Sequence, residues 1–182
     1  MYLCPTYVKK IAFIIPPAVE LLDLAGPMQV FSEASFYGFE VQLEYYSIQP
    51  ETASSVGLPF GKLQHYSKAA LQAGDFIFIP GVRFESLKVL ISWEKAFFHW
   101  LRDTAQRGIN ICSICNAAFF LGEAGLLNNR DCTTHWRRVD ALQKQYPKAR
   151  VLNDVLFVKS DTIYTSAGIS AGIDLALSIL EE

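Results

Sequence analysis

Residues Ile109 to Gly122 read INICSICNAAFFLG, and the way the chain passes through Cys115 decides the fold. INICSI is short, apolar, rich in isoleucine and free of proline, as a strand buried on both faces of a sheet would be. NAAFFLGEAG, which follows, reads as a helix with glycine near its end. No turn residues separate the two. The chain is therefore expected to leave a strand and enter a helix at Cys115. Small residues stand two positions before and two after it, Ser113 and Ala117. A sharp nucleophile elbow needs them, because the turn brings neighbouring backbone close together.

Outward from this elbow the alternation repeats. KIAFIIP is an apolar, β-branched run closed by proline and reads as a first strand. ELLDLAGPMQVFSEAS carries Leu21, Leu24, Met28 and Phe31 at helical spacing, and an interruption is expected near Gly26-Pro27 because proline cannot donate to the helix ladder. FEVQLEYYSI alternates like a strand, and ETASSVGLPFGKLQHYS reads as loop with short strands. DFIFIPG is another strand. SWEKAFFHWLRDTAQRG is a helix with Phe97, Trp100 and Leu101 on one face and Gly108 as its stop. Beyond the elbow, THWRRVDALQKQYP reads as an amphipathic helix ended by Pro147 and capped by Thr133 or Thr134. ARVLNDVLFVKSDTIYTSAG reads as strands around a turn at Lys159-Ser160-Asp161, and SAGIDLALSILEE as a helix running to the last residue. Strands alternating with helices imply an α/β fold: a mainly parallel sheet with right-handed crossovers and helices on both faces. Ligands then bind beyond the carboxyl ends of the strands.

Composition agrees. At 182 residues the chain supports one domain with a sizeable core. Hydrophobic residues make up 51% and charged residues 19%, a balance that suits strands buried on both faces. The net charge is -2, and no Lys/Arg run exceeds two residues, so nothing here offers a footprint for nucleic acid. No stretch approaches the length of a membrane span. The apolar run at Ile11–Ile15 has no small-residue cleavage site after it, which argues against a signal peptide. Four cysteines at irregular spacing, with no secretion signal, point to reduced thiols in a cytoplasmic protein.

Three residues are candidates for chemistry. At an elbow, the Cys115 sulfur would lie near a helix N-terminus, where unpaired amides and the helix dipole favour thiolate and bind an anion or a carbonyl oxygen. The alternative is a buried core cysteine. Asp23, on the otherwise apolar LLDLAG, is placed to accept a hydrogen bond from a thiol or ligand at the strand ends; the alternative is a capping or solvent-facing residue. His135 is either a general base for Cys115 or a first-turn histidine bonded locally. Cys112, Cys115, Cys132 and His135 also spell C-x2-C-x16-C-x2-H, close to a zinc-ribbon spacing. Ribbon ligands sit on tight polar turns, whereas Cys112 lies in an apolar strand, so no metal is expected. A redox C-x-x-C is disfavoured too, because Ser113-Ile114 continues a strand. No cofactor is implied.

LLDLAGPMQVF after the first strand, DFIFIPG, ICSICNAAFFLGEAGLLNNRDCTTHW and YTSAGISAGIDLAL together resemble the ThiJ/PfpI superfamily, whose fold is class I glutamine amidotransferase-like. The resemblance runs from about Lys10 to Glu182. Within that superfamily, THWRRVDALQKQYPKARVLNDVLFVKSDTIYTSAG is similar to the amino-terminal domains of AraC-type transcription regulators. The resemblance implies a flavodoxin-like sandwich spanning residues 1–182 as a single domain, and a homodimer. It maps the elbow cysteine to Cys115 and the first acidic site residue to Asp23. It also implies a carboxy-terminal helix-turn-helix domain, absent from this chain, that would supply the DNA binding. Active relatives often follow the cysteine with His, or with Thr or Ser and then Gly; Asn116 and Ala117 stand here instead. That departure implies a pocket that binds a small molecule through Cys115, Asp23, Asn116, Ala117 and His135 more readily than one that turns a substrate over. A stand-alone cysteine enzyme, isonitrile hydratase-like or amidase-like, is the alternative.

Overall fold

A computed structural model describes residues 8–93 and 95–181. Cys4, one of the four expected thiols, and Glu182, the expected end of the last helix, lie outside the described residues. The strands are β1 (Lys9–Ile15), β2 (Val41–Ser47), β3 (Gln64–His65), β4 (Phe76–Ile79), β5 (Asn110–Ile114), β6 (Asp131–Cys132), β7 (Arg150–Val151), β8 (Phe157–Ser160) and β9 (Ile163–Ser166). The helices are α1 (Leu21–Phe36), α2 (Phe84–Trp93), α3 (Lys95–Gln106), α4 (Ala118–Glu123), α5 (Val139–Gln145) and α6 (Ser170–Leu180). Seven strands form one sheet in the order β3-β2-β1-β4-β5-β9-β8. All neighbours are parallel except the β8–β9 hairpin. β6 and β7 form a separate parallel pair.

Side-chain alternation along the strands builds two cores, one on each face of the sheet. In β1, Ala12 and Ile14 face one core, while Ile11, Phe13 and Ile15 face the other. In β4, Ile77 and Ile79 divide from Phe76 and Phe78 in the same way. The first core receives Leu87 and Leu90 from α2, Phe97, Phe98 and Leu101 from α3, Phe120 from α4 and Leu142 from α5. The second receives Leu24 and Phe31 from α1 and Leu175, Ala176 and Ile179 from α6. The sheet is thus covered on both sides, and the expected α/β sandwich is the observed one.

Local details differ from the sequence reading, and the helix expected over THWRRVDALQKQYP is a 3-10 turn at Trp136–Arg138 followed by α5 at Val139–Gln145. Helix α1 is continuous through Pro27. Proline removes one ladder bond there, to the Asp23 carbonyl, but α6 packs directly on this turn and holds it. A Cβ on Gly26 would stand 2.8 Å from Ile173 Cγ1, so Gly26-Pro27 marks a close helix crossing and not a break. Residues 84–91, to which the sequence reading assigns no element, belong to α2, which also takes Ser92 and Trp93 from the start of the helix expected over SWEKAFFHWLRDTAQRG. The hairpin turn falls at Asp161-Thr162, after Ser160 pairs with Ile163. The last helix ends at Leu180, with Glu181 as its C-cap.

Candidate functional site

The site is built where the sheet's carboxyl edge meets the elbow. β5 ends at Ile114 with extended backbone, φ -113 and ψ 138. Cys115 then takes φ 57 and starts a single 3-10 turn over Cys115–Ala117 that feeds α4. Positive φ at a residue with a Cβ costs roughly 1–3 kcal/mol and persists only where the surroundings impose it. Two contacts do so. Thr134 Oγ1 donates to the Cys115 carbonyl at 2.9 Å. The Asn116 amide clips the β4–α2 loop: Oδ1 accepts from the Val82 N–H at 2.9 Å, and Nδ2 donates to the Val82 carbonyl at 2.7 Å. Truncating Asn116 to alanine would strand both Val82 groups in a buried setting. We expect a loss of about 1–3 kcal/mol, read as a lower urea midpoint; an unchanged midpoint would show that the loop is held without the clip.

Two glycines close the approach to the sulfur. A Cβ at Gly81 would lie 2.5 Å from Asp23 Oδ2 and 2.9 Å from Cys115 Cβ. One at Gly168 would lie 3.3 Å from Cys115 Sγ and 3.4 Å from His135 Cδ2. Backbone therefore walls the site where side chains do not fit.

Asp23, in the first turn of α1, is 1% exposed. Its Oδ1 accepts the Ile169 N–H at 3.0 Å. Its Oδ2 has no hydrogen-bond partner among the described residues and faces the Cys115 side chain across Gly81. Burial raises the Asp23 pKa above the usual carboxylate range, more than the polar groups of Ile169, Cys115 and Gly81 lower it. Burial likewise pushes the Cys115 thiol well up, helped by the Asp23 charge, while the Asn116 N–H pulls weakly the other way. The expectation that the helix start would favour thiolate is therefore corrected: one amide does not offset burial beside a carboxylate, and α4 is too short to supply much dipole.

A carboxyl group whose folded pKa is raised contributes stability below its unfolded value, and that contribution is lost as pH rises toward the folded value. Asp23→Asn removes the penalty while keeping an oxygen for Ile169. The variant is expected to be more stable than the parent at pH 8, with the gap shrinking toward pH 4. Thermal unfolding across that range checks it; a variant less stable at pH 8 would contradict the burial of the charge.

His135 is the N-cap of a 3-10 turn over Trp136–Arg138, its Nδ1 accepting the Arg137 N–H at 3.2 Å. That bond places the ring proton of neutral imidazole on Nε2. Burial, Arg137 and Arg138 all lower its pKa. With Nδ1 engaged, the ring has no lone pair left to act as a base toward Cys115. The cap also corrects the expected role of the threonines. Thr133 and Thr134 are buried and bond to Leu152, Thr165 and Cys115 instead.

Above Cys115 lies a cavity of about 460 Å³ whose lining includes Glu20, Asp23, Val82, Phe84, Cys115, Asn116, His135, Arg137, Arg138 and Ile169. Glu20 is held by a bond from Ser55 Oγ at 2.8 Å. Of the expected site residues, Cys115, Asp23, Asn116 and His135 meet here. Ala117 does not: it is fully buried in the core on the α2–α5 side, because the turn after Cys115 rotates its methyl away from the opening. Ile169 joins them at φ 42, ψ -100, a strained conformation for a β-branched residue. Gly81, Gly168, Val82, Thr134 and Ile169 were not legible as site residues, since each matters through contacts far away in sequence. Among the described residues no three His, Cys, Asp or Glu side chains come together as a metal site. Cys112 and Cys132 belong to the cores on opposite faces of the sheet, which separates the zinc-like spacing in space.

Comparison with known proteins agrees with this geometry. The DJ-1/PfpI family pattern matches residues 9–182. The chain is 32% identical over 176 residues to an isonitrile hydratase from Pseudomonas putida, covering 95% of this chain and 71% of that protein. It is 35% identical over 112 residues to the HTH-type transcriptional regulator CdhR of Pseudomonas aeruginosa, 62% of this chain and 32% of the regulator, so the match spans about a third of that protein. The crystal structure of an AraC family transcriptional regulator from Pseudomonas putida superposes with a TM-score of 0.76 at 21% identity, covering 95% of this chain and 91% of that one. A ThiJ/PfpI family protein from Pseudomonas syringae gives 0.79 at 26% identity, covering 96% and 69%. The elbow, the doubly covered parallel sheet and the matched sequence together make this chain a member of the DJ-1/PfpI family.

Proposed function

We propose that this domain is the small-molecule sensor of an AraC-type transcription regulator, binding its ligand in the cavity above Cys115. In this reading the protein is cytoplasmic and homodimeric. DNA binding belongs to a carboxy-terminal helix-turn-helix domain outside this chain. The observation that carries the reading is the setting of Cys115: its side chain is buried beside Asp23, burial and the Asp23 charge both push the thiol pKa up, and the nearby His135 imidazole has its Nδ1 lone pair engaged. A cavity with a quiet thiol binds better than it reacts. The likeness to CdhR and to the Pseudomonas putida regulator supports the same reading, and among the described residues no helix is long and apolar enough to cross a membrane.

A cysteine hydrolase or hydratase is the second reading, favoured by the strained elbow and by the likeness to isonitrile hydratase. Alkylation of Cys115 by iodoacetamide, followed from pH 6 to 10, separates the two. A sensor gives a slow reaction that rises only in strongly alkaline buffer, and an alkyl isonitrile is not consumed. A fast reaction at neutral pH together with isonitrile turnover lost in Cys115→Ala would establish the enzyme. In the sensor, Cys115→Ala removes one contact and weakens ligand binding by about 1 kcal/mol. Sequencing the gene past Glu182 tests the DNA-binding half; a reading frame without a helix-turn-helix segment would remove it.

A further inference from the structure

We propose that the mouth of the cavity is a carboxylate subsite, in which Arg137, Arg138 and the Nε2–H of His135 take the carboxylate of a small metabolite. The proposal deepens the sensor reading and rests on it, because it names the class of ligand the cavity would sense.

Three donors are carried on one turn of chain. Trp136–Arg138 is a 3-10 turn closed by the Arg138 N–H on the His135 carbonyl at 2.7 Å, so the two guanidinium stems and the imidazole share one rigid base. All three side chains line the cavity. Neither guanidinium is ion-paired with a described residue. Each instead lies over an aromatic ring: Arg138 Cζ is 3.3 Å from the Phe84 ring centroid, and Arg137 Cζ is 4.7 Å from that of Trp136. Stacking fixes the plane of a guanidinium and leaves its edge of N–H donors open. That fork matches the two oxygens of a carboxylate. His135 adds a neutral donor, since its Nδ1 already accepts from Arg137 and its proton sits on Nε2.

The two guanidinium groups at the mouth favour an anionic ligand group. Two unpaired cations face the cavity. Of its acids, Asp23 accepts from the Ile169 N–H and Glu20 from Ser55 Oγ. A carboxylate presents two oxygens to one guanidinium fork. The volume suits a metabolite-sized molecule whose remaining atoms reach Val82 and Ile169.

The test uses the whole chain and three probes: butyrate, the nearly isosteric butyramide, and inorganic phosphate. His135 ring resonances are followed by NMR during titration. Butyrate is expected to give a saturable shift and to raise the His135 titration midpoint, because an anion offsets the two arginines. Butyramide should bind at least about tenfold more weakly, as should butyrate to Arg137→Gln/Arg138→Gln, from the loss of charge-assisted hydrogen bonds. Arg137→Lys/Arg138→Lys, which keeps charge but loses the fork, should fall between. Unfolding midpoints of both variants show that the fold is retained. The wild-type butyrate and butyramide comparison stands without them. Equal binding of butyrate and butyramide would overturn the anion subsite and leave a ligand cavity, hence the sensor reading, intact. Tighter binding of phosphate, or no saturable His135 response to butyrate, would overturn it as well. Loss of the sensor reading shows elsewhere, in fast Cys115 alkylation at neutral pH.

Discussion

Phe78→Ala is expected to destabilise the domain by about 3–5 kcal/mol, the range for truncating a fully buried aromatic. Phe78 is fully buried on β4, between β1 and β5 in the sheet. Its ring lies 5.3 Å from Phe13, with the planes tilted by 32°, and 5.3 Å from Phe31, edge to face at 73°. Phe13 belongs to the neighbouring strand and Phe31 to the helix that covers it, so the ring ties sheet to layer. Strand neighbours hold the backbone on both sides and cannot collapse into the gap. The loss should therefore sit near the top of the range. In a domain whose total stability is about 5–15 kcal/mol, that is a large share, and a chain of this size loses about 2–4 °C per kcal/mol. Urea unfolding reads it as a lower midpoint with unchanged slope. A midpoint within experimental error of the parent would mean that this core is not packed as described.

Gly81→Ala is expected to cost about 1–3 kcal/mol, the usual penalty for overpacking, and to rearrange the site as well. The added methyl would meet Asp23 Oδ2 at 2.5 Å, Cys115 Cβ at 2.9 Å and Asn116 Oδ1 at 3.0 Å. None of the three can easily retreat. Asp23 is tethered to Ile169, Asn116 to Val82, and Cys115 to Thr134. Relief requires Asp23 to move off the thiol or the β4–α2 loop to lift. Either change lets water reach Cys115 and removes the carboxylate that suppresses its ionisation, so alkylation should become faster at pH 8 while stability falls. Unfolding and alkylation measured on the same preparation give both numbers. A variant as stable and as unreactive as the parent would show that the loop does not press on the site.

The architecture was readable because it rests on local pattern. KIAFIIP, DFIFIPG and INICSI are apolar runs with strand-ending residues, and each became a strand. The elbow was readable for the same reason: an apolar strand met a helix at Cys115 with no turn residues between. What failed locally failed where tertiary contact overrides preference. Pro27 reads as a break because its missing N–H is a local fact, while the α6 crossing that holds the helix is not. Helix α2 carries Phe84, Leu87, Leu90 and Ile91 at helical spacing, but Pro80-Gly81 just before it draws the eye to a loop. The ionisation of the site was out of reach for a different reason. The state of Cys115 depends on burial and on Asp23, which lies 92 positions away along the chain (115 less 23), and only the pairing of β1, β4 and β5 brings the two together. Gly81 looked like a strand terminator, and nothing next to it in sequence shows what its missing side chain makes room for.

The cavity takes its walls from several stretches of chain: Glu20 to Asp23, Val82 to Phe84, Cys115 with Asn116, His135 to Arg138, and Ile169. Cut between β4 and β5, the protein would leave Asp23 on one fragment and Cys115, His135 and both arginines on the other. Occupancy would thus certify that the whole domain is assembled, since no half-made chain owns enough of the wall to hold a guest. A cell that reads occupancy would never be misled by a nascent or broken copy, and a bound guest would in turn draw wayward copies back to the intact form by mass action.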